Sequence, residues 1–344
     1  MNKTNNIIVG ISLGDINGIG VEVILKTFAD KRMLEFCTPV IFGSNKVVSF
    51  HKKALNIQTH INGIHHINKI VYGKINLLNI WNEDIKIELG TPSKNAGKYA
   101  FQSLKKAVDE LKKETIDVLI TAPINKDTIQ SEDFKFAGHT EYLQSNLEGQ
   151  SLMILMNDLF KVGLLTGHIP VSKVADTITP ELIKEKTAIM YASLVQDFGV
   201  IKPKIAVLGL NPHSGDNGLT GKEEKEIIIP TIKEIRDSGK LVFGPYAADG
   251  FFGSKTYQQF DGILAMYHDQ GLAPFKALSF GNGVNFTAGL NKIRTSPDHG
   301  TGFDIAGKGI ANEDSFKEAL FTALKIYKNR NEYKEITENV LKSN

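Results

Sequence analysis

The stretch SLGDINGIGVEVILK, residues 12–26, continues an apolar run that begins at Ile7 and reads as a strand, a glycine-rich turn and a helix. Its glycines, Gly14, Gly18 and Gly20, lack the G-x-G-x-x-G spacing of the dinucleotide fingerprint, so the turn is not a Rossmann cofactor loop. Two readings of it stay open: a tight structural turn, because glycine enters positive φ freely, or a loop that approaches a ligand. Outward from this unit, short apolar runs alternate with longer amphipathic ones, the pattern of a parallel sheet covered by helices on both faces. Strands are expected at 7–13, 39–42, 118–122, 162–165, 205–210 and 263–266. A helix is expected after the Thr179–Pro180 pair, ending near Gly199. Capping boxes are read at Thr220 with Glu223 and at Ser315 with Glu318, and a kink or break at Pro230. Residues 45–89 show no clear long helix, and His51, His60, His65 and His66 within them read as surface residues.

The chain has 344 residues, 42% of them hydrophobic and 23% charged, enough for two cores. The expected architecture is α/β, with two α/β/α domains around a cleft, drawn at 1–130 plus 275–344 and at 131–274. Lys plus Arg number 40 against 38 for Asp plus Glu, with no long basic run, so nucleic acid is not an expected partner. The single cysteine, Cys37, rules out an internal disulfide and a thiolate cluster, and reads as a buried structural thiol. No apolar segment approaches the roughly 20 residues of a membrane helix. The run 7–13 is too short for a signal core, so a cytoplasmic location is expected.

Three histidines share a local setting, each after an apolar run and inside a turn of Gly, Pro, Asn or Asp: His168 in KVGLLTGHIP, His213 in KIAVLGLNPHSG and His268 in DGILAMYHDQG. One such histidine is ordinarily a hydrogen-bonded structural residue. Three in matched contexts suit one divalent centre with an open position. TAPINK (121–126) and FAGHTEYL (136–143) set polar groups beside turns; His139 and Thr140 either hold an anionic or hydroxylated substrate, or Thr140 caps a helix with His139 in solvent. The stretch 276–309 reads as a long glycine-rich loop in which Lys276, Asn285 and Arg294 are anion and hydroxyl binders.

At these residues the chain resembles the 4-hydroxythreonine-4-phosphate dehydrogenase family, NAD-dependent enzymes of pyridoxal phosphate biosynthesis. GDINGIGVE, TAPINK, GHTEYL, LTGHIPV, LNPHSGDNG, GPYAADGFF, YHDQGLAPFK and GVNFTAGLNKIRTSPDHGT match its motifs in order over nearly the whole chain. DHGTGFDIAGKG is also similar to the cofactor loop of the isocitrate and isopropylmalate dehydrogenases, whose non-Rossmann fold the family shares. The resemblance implies a divalent cation (Zn, with Mg or Co as other candidates) on His168, His213 and His268, one histidine coming from the other subunit of a homodimer. It implies a phosphorylated substrate held by His139, Thr140, Lys276, Asn285 and Arg294. It places NAD or NADP along Asp298, His299, Gly300, Asp304 and Lys308. Asp249, in YAADGFF, is read separately as a proton acceptor or a partner of a metal-bound histidine. Ile16, Asn17 and Val21 depart from the Pro, Ala and Pro common in the family's first turn. Related enzymes oxidise phosphorylated threonate or erythronate. Outside the resemblance, three histidines and an open position also serve zinc-dependent lyases and hydrolases, and a two-lobed sugar-phosphate binder would need no metal.

Overall fold

The structure is a computed structural model that describes residues 7–279 and 281–338. The chain divides into two compact units, Met1–Glu148 with Asn291–Leu324, and Gly149–Leu290 with Lys325–Asn344. These divisions fall later than 130/131 and 274/275, for reasons visible in the packing. Phe134, Phe136 and Tyr142 pack ring against ring, and Phe134 and Tyr142 also meet Phe101 of the helix Lys94–Lys112, which keeps residues 131–148 with the first unit. A strand Val284–Leu290 pairs with Gly149–Met156, which keeps residues 275–290 with the second. The last part of the helix Asp314–Glu338 joins the second unit too: Arg330 donates from Nε to the buried Asp197 carboxylate at 2.5 Å and from Nη1 to Leu290 O at 3.2 Å.

The first unit holds β1 (Ile7–Ser12), β2 (Cys37–Gly43), β3 (Asn62–Ile64), β4 (Asn76–Asn79), β5 (Val118–Thr121) and β12 (Ile293–Pro297) in the order β3-β4-β2-β1-β5-β12. Every pairing within it is parallel. Val9, Ile11, Val118, Leu119 and Ile120 are fully buried, as strands covered on both faces require. The turn after β1 has a structural need for glycine: Gly14 has φ +68°, and a Cβ there would lie 2.3 Å from Pro123 O, beside which Asp15 N–H donates to the same carbonyl at 2.8 Å.

The second unit holds β6 (Gly149–Met156), β7 (Lys161–Leu164), β8 (Lys204–Leu208), β9 (Leu241–Tyr246), β10 (Gly262–Ala265) and β11 (Val284–Leu290) in the order β11-β6-β7-β10-β8-β9. The expectation of a wholly parallel sheet fails here, because β6 runs antiparallel to both β7 and β11. A short turn joins β6 to β7, and only an antiparallel pair closes over so few residues.

Other corrections have equally local causes. Residues 45–54 form a helix capped by Ser44, whose Oγ accepts from Lys46 N–H. Its inner face buries Val47, Val48 and His51, so His51 is core, with Nε2 2.9 Å from Ile16 O, while His60, His65 and His66 are exposed. The segment 276–309 is no single loop, since the buried Val284, Phe286, Ala288 and Leu290 alternate along β11 and all of β12 is buried. Neither expected cap position holds: the Thr220 hydroxyl donates to Pro212 O, and Ser315 lies inside the helix that starts at Asp314, its Oγ accepting from Asp298 N–H. Pro230 produces the expected irregularity as a π turn over Glu224–Ile228, directly before the helix Ile229–Asp237. Thr179 caps Pro180–Gln196 as its sequence predicts, accepting from Leu182 N–H at 3.2 Å.

Candidate active site

In the first unit, β12 sets Arg294 beside β5, in register with Leu119. The guanidinium is buried, and its Nε and Nη2 donate to Thr121 Oγ1 at 3.0 and 2.6 Å. Burial lowers the Arg294 pKa to about 9 against the opposing charge of Glu141. His139 opens the helix His139–Asn146, with Gly138 at the cap position, so Thr140 is not the helix cap and His139 is not solvated. The His139 Nε2 is buried without a hydrogen-bond partner. Burial, then the positive charges of Arg294 and Lys126, hold its pKa well below the usual imidazole range. A neutral ring with an unspent polar atom among cationic groups is an arrangement that awaits an anion carrying its own hydrogen-bonding groups.

Further along this unit, Ile19 N–H donates to Thr301 O at 2.9 Å and Asp298 N–H to Ser315 Oγ at 3.1 Å, which fixes both ends of the segment 298–301. His299 Nδ1 lies 3.0 Å from Gly300 O, and Asp304 and Lys308 are exposed. A carboxylate for hydroxyls and an ammonium for phosphate, on a backbone turning through positive φ at Gly302 and Gly307, suit a dinucleotide.

In the second unit the three histidines follow the ends of β7, β8 and β10, which lie side by side and parallel in the order β7-β10-β8. The His168 and His268 rings come together, with centroids 5.5 Å apart at 43°. His213 stands in a turn in which five successive residues, His213–Asn217, have positive φ. The buried Glu224 carboxylate anchors that turn by accepting from Asn211 N–H at 2.7 Å and Asn211 Nδ2 at 2.9 Å. Among the described residues no three His, Cys, Asp or Glu side chains converge to hold a metal. His213, Asp249, Tyr267 and Asp269 line a cavity of about 520 Å3, with Asp249 exposed. Lys276 is exposed on the helix His268–Ser279, and the Asn285 Oδ1 on β11 is buried with no partner.

A family model described as pyridoxal phosphate biosynthetic protein PdxA matches residues 35–323. The chain belongs to the PdxA family. A 4-hydroxythreonine-4-phosphate dehydrogenase of Bacteroides thetaiotaomicron is 54% identical over 342 residues, covering 99% of this chain and 94% of the relative. A Clostridium botulinum relative, provisionally named a D-threonate 4-phosphate dehydrogenase, is 35% identical over 325 residues, 93% of this chain and 97% of its own. The crystal structure of 4-hydroxythreonine-4-phosphate dehydrogenase from Klebsiella pneumoniae superposes with a TM-score of 0.80 at 32% identity, covering 95% of this chain and 99% of that one. This PdxA-family chain is therefore of a dehydrogenase family with an α/β fold, and none of its described helices is long and apolar enough to cross a membrane.

The PdxA-family motifs contain positions that reading the sequence did not single out. Thr121 and Lys126 lie at the two ends of TAPINK, and the signal for Thr121 was a lone hydroxyl terminating an otherwise apolar strand. Gln270 accepts from Met266 N–H at 2.7 Å and donates to Gly209 O at 2.6 Å, which ties the start of the His268 helix to the end of β8. Asp269 Oδ1 lies 2.7 Å from His268 Nδ1, which leaves Nε2 as the ring atom open to a ligand, and an imidazole held by a carboxylate has the donor chemistry that would suit a divalent cation.

Proposed function

We propose that the protein catalyses the NAD- or NADP-dependent oxidation of 4-phosphooxy-L-threonine to a β-keto acid, which decarboxylates to 3-amino-2-oxopropyl phosphate, in pyridoxal phosphate biosynthesis. The observation that carries this reading is the buried Arg294 guanidinium beside the unpartnered Nε2 of His139. Arg294, His139, Thr140, Lys276 and Asn285 take the substrate-binding roles. Arg294 and Lys276 hold anionic groups and orient the reacting carbon. His139, kept neutral, spends a hydrogen bond on the substrate without adding charge. His168, His213 and His268 are the residues to hold a divalent cation, the set being completed across a homodimer; Asp298, His299, Gly300, Asp304 and Lys308 are those to hold the dinucleotide. When bound, these groups supply Lewis acidity toward the substrate hydroxyl and a hydride acceptor. Asp249 is assigned the proton from that hydroxyl.

The test is NADH or NADPH formation with phosphorylated hydroxythreonine, and in parallel with phosphorylated D-threonate and erythronate, before and after chelation and readdition of Zn, Mg or Co. Turnover of hydroxythreonine phosphate that falls on chelation and returns with metal is the expected result. Preference for the threonate, the second reading supported by the Clostridium relative, would reassign the substrate. Turnover without dinucleotide would replace the reaction class.

A further inference from the structure

Asn17, in the turn after β1, is buried at 1% exposure. Its Nδ2 donates to Thr91 O at 2.8 Å and to Ser93 Oγ at 3.3 Å, while its Oδ1 accepts from Glu88 N–H at 3.0 Å. Its carbonyl accepts from Gly90 N–H at 2.9 Å, and its own N–H donates to Asp15 Oδ1 at 2.9 Å. One side chain thus fastens the segment 88–93 to the β1 turn. Both of these pieces press on the stretch assigned to the dinucleotide. A Cβ on Gly18 would lie 2.6 Å from Thr301 O, one on Gly90 2.8 Å from Phe303 O, and one on Gly307 2.6 Å from Leu89 Cδ1. Alanine at position 17 would supply none of the three side-chain bonds.

We propose that Asn17 is a positioning residue for the dinucleotide: it clamps residues 88–93 against the turn 15–19, so that Leu89, Gly90 and Ile19 together back the loop 301–307 in its binding conformation. The proposal rests on the reading that the cofactor lies along Asp298–Lys308. Loss of the clamp leaves the Thr91 carbonyl and Glu88 amide without their partner, and buried groups in that state move to find one. The loop resting on them then samples conformations that do not bind, and affinity falls by the fraction of time spent there.

The experiment is a fluorescence titration of NADH and NADPH into the full-length protein and into Asn17→Ala, with steady-state kinetics and hydrogen exchange on the same samples. Asn17→Ala is expected to raise the dinucleotide Kd about tenfold, equivalent to about 1.4 kcal/mol. Amides in 301–307 should exchange faster, and the KM for the phosphorylated substrate should stay unchanged. A purely structural residue would lower the melting temperature without this split, so an unchanged Kd overturns the proposal. Asn17→Asp has the same size, keeps the acceptor for Glu88 N–H and removes both Nδ2 donors; if Asn17→Ala folds poorly, this variant must show the weakened Kd, or the proposal fails. Wild-type protein that binds neither dinucleotide overturns the cofactor reading along with it, an outcome distinct from wild-type binding that Asn17→Ala leaves intact.

Discussion

The two units treat their functional side chains in opposite ways. In the first, Arg294 is buried and already committed to Thr121, and His139 keeps its Nε2 out of water. In the second, His168 and His213 stand exposed on turns, and His268 is only half-buried. A buried guanidinium has given up its hydration during folding, so it meets an anion with little left to reorganise. Imidazoles on exposed turns keep more of their hydration, so a ligand arriving there has more solvent to displace. The first region is the more fully built by the fold.

The largest expected effect falls on the built region. Truncating a buried, hydrogen-bonded cation that contacts a ligand removes about 2–5 kcal/mol, so Arg294→Ala should lower kcat/KM by roughly 30- to 5,000-fold. Arg294→Lys should recover little, because an ammonium cannot reproduce the two bonds that Nε and Nη2 make to Thr121. Steady-state kinetics beside a thermal melt separates loss of binding from loss of folding. If Arg294→Ala retains wild-type kcat/KM, the contrast between the units disappears.

In the second unit the corresponding change is Asp269→Asn. Removing the carboxylate that orients a metal-binding histidine typically lowers affinity about 10–100-fold. Calorimetric titration of chelator-stripped protein with Zn should show a loss of that size, because the variant sets a neutral, weaker acceptor in place of the carboxylate facing His268 Nδ1. Equal Zn affinity in the variant and the wild type would mean that Asp269 plays no part in orienting the ring.

A smaller effect concerns pH. Burial lowers the His51 pKa to about 4, against the raising influence of its bond to Ile16 O, and holds His139 lower than its ordinary value as well. Both depressed values mean that the unfolded chain binds protons that the folded one refuses. Stability is therefore complete above the unfolded pKa of 6.5 and is lost as pH falls toward 4, by up to about 1.4 kcal/mol per pH unit for each histidine. Urea unfolding at pH 7 and pH 5 measures it. His51→Gln should flatten the dependence, and an identical slope would exclude His51 as a cause.

How much of this was legible in the sequence follows from what each feature depends on. The six expected strands all exist, because continuous apolar runs bounded by turns leave few alternatives for 4–8 residues. β3 and β4 were invisible, being short and polar at Asn62, Asn76 and Asn79, with Asn76 serving as a buried hydrogen-bond hub. β12 was hidden by Arg294, a charge that pattern reading assigns to a loop although it lies inside the strand. His51 was misplaced because a helix of ten residues carries too little periodicity to show which face is inward. At the candidate site, the histidines announced themselves by repeated context. Lys126, Glu224 and Gln270 act through partners that only the fold brings near, and no local pattern encodes such pairings.

Cys37 offers the finest division between the units. Burial in β2 pushes its thiol pKa up to about 12, so a disulfide reagent reaches it only when the first unit opens. The chain has no second cysteine, which makes labelling a reporter of that unit alone. A ligand that binds only the closed form suppresses opening by the factor 1 + [L]/Kd. If Arg294 and His139 take up inorganic phosphate, it should slow Cys37 labelling about threefold when present at twice its Kd. Zn at the histidine pair should leave the labelling rate unchanged if the units open separately. Slowing by both ligands would mean that the two cores unfold as one, and the contrast drawn above would then hold for the sites but not for the units that carry them.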